Sequence, residues 1–108
     1  MVLNTDEYFL KTIMRNLTSN AVRSLAGRPD ASIRWTAREE GGKAVLTITD
    51  NGPGITEAQL QPLYDQSMPS SLKSGLGLHL VRDLSKAIGC VITVAPTPGQ
   101  GTQFLLTL

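Results

Sequence analysis

Four short clusters carry residue types that could do chemistry. In "MRNLTSNAVRS", Asn16, Asn20 and Arg23 are spaced four and three apart, so a helix would put them on one face. At about 100° per residue they span roughly a 60° sector, beside the apolar stripe of that segment and not opposite it. Two neutral amides and a guanidinium suit a Mg²⁺ ion with phosphate. The ion takes hard oxygen ligands and leaves most of its shell to water and phosphate, so one Asn oxygen could be its single protein ligand. The same three residues could also be the solvated edge of an amphipathic helix.

The second cluster is "TITDNGPGI", Thr47 to Ile55. By period two, Leu46, Ile48 and Asp50 share a strand face, so Asp50 turns a carboxylate inward at the strand's end. An inward carboxylate needs donors, and a ligand amine would supply one. Gly52 and Gly54 would let a flat ligand approach the backbone. Alternatively, Asp50 accepts from the turn's own N–H groups. The third cluster, "SGLGLHL", places Gly75 and Gly77 before a helix whose free N–H groups make an anion site, or simply a flexible helix entry. It is neither a P-loop nor a dinucleotide fingerprint, since no Gly-Lys-Ser/Thr follows and Leu80 stands at the third glycine position. In the fourth, "GQGTQF", Thr102 shares an inward face with Phe104 and Leu106, although Thr is also a good strand former.

The elements that must position these clusters can be read from periodicity. A long helix over Asn4 to Gly27 buries Leu10, Ile13, Met14, Leu17, Ala21 and Leu25, with Asn4 as its cap. "ASIRWTAREE" and "AVLTITD" form a hairpin about "EGGK". A weak helix near Thr56 to Leu63 precedes the irregular "YDQSMPSSLKS". A second clear helix carries Leu78, Val81, Leu84 and Ile88 on one side, and "CVITVAP" and "TQFLLTL" are the last two strands. This order suggests a helical layer on one face of a sheet.

The chain has 108 residues, enough for one domain with one core. A net charge of +1 with scattered basic residues gives no electrostatic case for nucleic acid or an anionic membrane. Single Cys90 and single His79 exclude an internal disulfide and a four-ligand Cys/His zinc site within one chain. The apolar run "AIGCVITVA" is too short to span a bilayer.

In order and spacing, "NLTSNA", "DNGPGI", "GLGLHL" and "GQGTQF" resemble the N box, the two glycine boxes and the last Gly-Thr box of the GHKL ATP-binding superfamily. The likeness runs from about Thr5 to Leu108 and is strongest to the catalytic domain of bacterial sensor histidine kinases. It implies an α/β two-layer sandwich, with a mixed sheet of about five strands covered on one face by three helices. It implies binding of ATP and Mg²⁺. Asp50 would accept the adenine amino group, Gly52 and Gly54 would clear room for the ring, and Thr102 would assist through water. Asn20 would hold Mg²⁺, Asn16 would help at the metal or phosphates, and Arg23 would contact phosphate. Gly75, Leu76, Gly77 and Leu78 would start the helix facing the phosphates, with Lys73 within reach of them. A lid would span about residues 56–74.

The hydrolases of that superfamily usually carry a Glu four residues before the Mg²⁺ Asn, as a general base. Here the position is Asn16, and an amide cannot take that proton. The resemblance therefore implies transfer to a histidine on a separate dimerisation and phosphoacceptor domain, with a response regulator downstream. His79 does not resemble a phosphoacceptor motif, so the chain is expected to be a cytoplasmic piece of a longer kinase whose parent could be membrane-anchored. Two departures stand out. Ser24 occupies a position where an aromatic often covers adenine, and Cys90 replaces the second glycine of a usual pair. A GHKL ATPase, or an interaction module that has lost tight nucleotide binding, are the alternatives.

Overall fold

The computed structural model describes residues 5–64, 77–97 and 101–108. Helix α1 (Glu7–Ser24) starts at Asp6, whose carboxylate accepts from the Phe9 N–H at 3.0 Å. The cap is thus Asp6 and not Asn4, which lies outside the described residues. A helix beginning at Glu7 presents its orphan amides to Asp6. Leu10, Ile13, Leu17 and Ala21 are buried along α1, on the stripe that periodicity picks out.

Strands β1 (Ile33–Glu40) and β2 (Lys43–Asp50) form the expected hairpin, with Glu40 opposite Lys43 and Ile33 opposite Asp50. Gly41 and Gly42 both take positive φ, +59° and +81°. A two-residue turn needs this if its twist is to match the strands it joins. Helix α2 (Glu57–Tyr64) opens on a reciprocal capping box. The Thr56 N–H donates to Gln59 Oε1 at 2.9 Å, and the Gln59 N–H donates to Thr56 Oγ1 at 3.2 Å. Helix α3 (Leu78–Ala87) and strands β3 (Val91–Thr97) and β4 (Gly101–Thr107) complete the chain.

Strand order is β1-β2-β4-β3, and every adjacent pair is antiparallel. The two-layer α/β architecture agrees with expectation, but among the described residues the sheet has four strands and no parallel pair. The reason is the path of the chain. The α2–α3 crossover carries it past one strand's width, so β2 and β3 run the same way and β4 returns between them.

Ile13 and Leu17 of α1, Leu78 and Val81 of α3, Ile48 of β2 and Leu106 of β4 are almost fully buried between the layers. Val45 and Thr47 are buried too, although they alternate away from Leu46 and Ile48. Both sit on central strand β2, which has β1 on one side and β4 on the other within the sheet. Trp35 of β1 donates its indole N–H to Thr18 Oγ1 at 3.0 Å and ties the sheet to α1.

Cys90 follows α3, its N–H donating to the Ser85 carbonyl at 2.8 Å. Burial pushes its thiol up from 9.0 to about 11. The unfolded chain therefore releases this proton first, and stability falls as pH rises from about 9 to about 11. We expect a thiol reagent at about pH 8 to react slowly with the folded chain and quickly once urea unfolds it. Equal rates would contradict the burial.

Gly101 opens β4 with φ +113°, and a Cβ there would lie 1.8 Å from the Asp50 carbonyl oxygen. We expect Gly101→Ala to lower unfolding free energy by more than about 2 kcal/mol. Gly41→Ala has open space around it, so only the strain of its positive φ counts, and it should cost about 1 kcal/mol. Urea midpoints of the two variants check the ranking.

Candidate functional site

Asp50 ends β2 and lies opposite Thr102 of β4. Both side chains share the inner face, at 8% and 6% exposure. Asp50 Oδ1 accepts from the Gly52 N–H at 2.8 Å, so the turn reading of this carboxylate is realised. That bond engages one oxygen. Among the described residues Asp50 has no ion pair, and Oδ2 takes no hydrogen bond. A carboxylate is acceptor-only and costly to bury with its lone pairs unmet, so its free side invites a donor. Asn51 points elsewhere. Its Oδ1 accepts from the Ser32 N–H and its Nδ2 donates to the Asp30 carbonyl, which pins the turn to the α1–β1 connection.

A cleft opens from Asp50, with about 450 Å³ of empty space including its mouth. Leu17, Asn20, Ala21 and Ser24 of α1 form one wall, and Ile48, Asp50, Thr102 and Phe104 form the sheet side. Gly54, Ile55 and Gln59 close the end towards α2. The two glycines of the turn act differently. Gly54 has φ +90° and bare backbone beside the cleft, with the Gly101 carbonyl 3.6 Å from where a Cβ would sit. Gly52 is crowded by the protein itself, since its Cβ would lie 2.9 Å from Ser24 Oγ and 3.0 Å from Asp50 Oδ1.

Asn20, on the α1 wall of the cleft, is buried and its Oδ1 accepts from the Arg23 guanidinium. Asn16 is half-buried and donates from Nδ2 to the Thr12 carbonyl at 3.1 Å. Asn16 Oδ1 lies 3.3 Å from where a Cβ of Gly77 would sit. This brings the amide face of α1 against the start of α3. Gly77 caps α3 at φ +64° with no side-chain bond to the helix amides. Those amides are the groups that an anion would use.

The structure thus brings Asn20, Asp50, Gly54 and Thr102 into one cleft, with Gly52 at its turn. It sets Arg23 beside Asn20 and Asn16 beside Gly77. Leu78 contributes only backbone, because its side chain is wholly buried in the core. Lys73, Gly75 and Leu76 lie outside the described residues, as does residues 65–74 of the expected lid. The remainder of that lid is largely α2. Among the described residues no cluster of His, Cys, Asp or Glu could hold a metal. A cation here would rest on an amide oxygen and on ligand oxygens.

Sequence reasoning missed Gln59, although Thr56-x-x-Gln59 is a readable capping signal. It also missed Arg82, only 7% exposed, which donates from Nη1 to the Pro62 carbonyl at 3.3 Å and from Nε to Asp83 at 3.0 Å. Arg82 ties α3 to the end of α2. Nothing in the spacing of α3 marks it, because a lone Arg at such a position normally reads as solvated.

Comparison with known proteins decides the family. The model for histidine kinase-, DNA gyrase B- and HSP90-like ATPases matches residues 5–108. The chain belongs to this family. Among similar curated members of the histidine kinase-, DNA gyrase B- and HSP90-like ATPases, the sensor histidine kinase GraS of Staphylococcus haemolyticus is 31% identical, over 95% of this chain and 31% of that protein. The circadian input-output histidine kinase CikA of Synechococcus elongatus is 32% identical, over 95% and 14%. The chain therefore spans a third or less of these relatives. Full-length ShkA in complex with AMPPNP superposes with a TM-score of 0.74 at 28% identity, over 94% of this chain and 21% of that one. The catalytic domain of histidine kinase ThkA shares the fold, with a TM-score of 0.75 at 21% identity over 95% of this chain and 68% of that one. Among the described residues no helix is long and apolar enough to cross a membrane.

Proposed function

We propose that this chain binds Mg-ATP in the cleft between α1 and the sheet. It would present the γ-phosphate to a histidine on a separate dimerisation and phosphoacceptor domain, in two-component signalling. The observation that carries the reading is the buried Asp50 carboxylate, with one oxygen held by its own turn and the other facing no donor among the described residues. An adenine amino group meets that need, and Ile48, Ile55 and Phe104 offer apolar surface to the ring. The AMPPNP carried by ShkA, an adenine nucleotide on a similar fold, supports the same ligand class here.

Mg²⁺ fits the amide face of α1 beside the cleft. Asn20 Oδ1 would be its protein oxygen, and the rest of the shell would be phosphate and water. The ion would neutralise phosphate charge. Arg23, now donating to Asn20, would turn its guanidinium to phosphate once that oxygen is taken. The α3 amides behind Gly77 would hold the phosphate chain, and Thr102 would reach the base through water. Asn16 supports transfer over hydrolysis: it commits its amide N–H to the Thr12 carbonyl and has no proton-accepting group for an attacking water. The domain's work is then positioning and charge neutralisation. In the parent protein this would take place in the cytoplasm, with a response regulator receiving the phosphoryl group.

Calorimetric titration with ATP tests the reading. The wild-type chain should bind saturably, and Asp50→Asn should bind at least about tenfold more weakly at an unchanged urea midpoint. Unchanged affinity would remove Asp50 from the role. Asn20→Ala should bring the affinities measured with and without Mg²⁺ towards each other. A Mg²⁺ dependence equal to wild type would remove Asn20 as the ion's ligand.

A further inference from the structure

Helix α2 closes the end of the cleft, yet little within it makes it a stable helix. It has eight residues, too few to hold a helix without outside contacts. Pro62 stands inside it and has no N–H to give the Ala58 carbonyl. Its last turn carries no basic residue, although a cation there would meet the orphan carbonyls. Arg82 of α3 supplies what α2 lacks. Its Nη1 donates at 3.3 Å to the Pro62 carbonyl, one of those that α2 cannot pair by itself. The guanidinium is buried, and its Nε is steadied by Asp83 at 3.0 Å. Leu60 and Leu63 pack α2 on the core, and the Thr56–Gln59 capping box holds its other end. That other end is the cleft wall of Gly54, Ile55 and Gln59.

We propose that Arg82 is a positioning residue of the nucleotide site, capping α2 from α3 so that the wall of Gly54, Ile55 and Gln59 stays in place. The proposal rests on the Mg-ATP reading of the cleft. Arg82 is not among the residues that line the cleft, so it acts through α2 and not on the nucleotide. Without it a buried carbonyl loses its donor, and the last turn of a marginal helix frays. Gln59 lies less than one turn from Pro62, so fraying of so short a helix reaches the cleft wall. A wall that is in place only part of the time lowers the apparent affinity by that fraction. Arg82 also belongs to the helix that starts behind Gly77. The same helix would therefore hold the phosphates by its amides and the cleft wall by its tie to α2.

Amide hydrogen exchange and calorimetric titration with ATP test it together. The variants are Arg82→Met, which keeps an apolar stem and loses the donors, and Arg82→Lys, which keeps a cationic donor. In Arg82→Met the α2 amides should exchange at least about tenfold faster, with those of β2 and β4 unchanged. ATP should bind that variant roughly fivefold more weakly. Arg82→Lys should recover part of both losses, and no recovery would overturn the cap. A merely structural tie would speed α2 exchange in Arg82→Met and leave ATP affinity unmoved, which would overturn the positioning role. Unchanged α2 exchange in that variant would do the same. In wild type, saturating ATP should slow exchange in α2, and this readout decides the matter if Arg82→Met does not fold. A wild-type chain that binds ATP without slowing α2 exchange would overturn the role of Arg82 and leave the nucleotide site standing. Failure of wild type to bind ATP would overturn the nucleotide reading and this proposal with it.

Discussion

The burial of one carboxylate organises this molecule. Asp50 sits at the end of central strand β2, where apolar residues alternate with it on the inner face. Its charge cannot be left unmet there. The fold answers half of the need with the Gly52 N–H, and leaves the other half directed at a cleft. Much of the surrounding geometry follows from holding that oxygen still. Asn51 locks the turn to the α1–β1 connection. Gly101 lets β4 pass against the Asp50 carbonyl at a distance no side chain permits. Thr102 is thereby delivered directly opposite.

The second constraint is the contact between α1 and α3. A ligand reaching from Asp50 to the α3 amides must cross the face of α1 that carries Asn20 and Asn16. That face is held by the apolar stripe of Leu10, Ile13 and Leu17 packing on Leu78 and Val81 of α3. The core thus also shapes the cleft. Replacing Leu17 with Ala would cost about 2–5 kcal/mol and would also loosen the wall of the cleft. Arg82 extends the same logic to α2. It donates to the carbonyl of Pro62, in the last turn of a helix whose other end lines the cleft with Gln59.

The two readings of Asp50, as turn acceptor and as ligand acceptor, prove compatible, because a carboxylate has two oxygens and the turn takes one. The same holds for the α1 cluster. Asn20 is buried at the margin of the core, while Arg23 is exposed and reaches back to it. One end of the cluster is therefore in the cleft and the other on the solvated edge.

Local chemistry was enough to find most of the elements. Period 3.6 marked α1 and α3, alternation marked the strands, and the paired glycines at 41 and 42 marked the hairpin. The order and spacing of four motifs marked the family and the candidate residues at Asp50, Asn20 and Thr102. These signals are local because each depends on a residue's own backbone preference or on a side chain's place within one element. The antiparallel order β1-β2-β4-β3 was not legible, since nothing in β4 itself states that it inserts between β2 and β3. Nor was the crowding of Gly52 by Ser24, or the burial of Arg82 under α2. Each of these depends on which surfaces meet. Only the packing of helices on the sheet decides that.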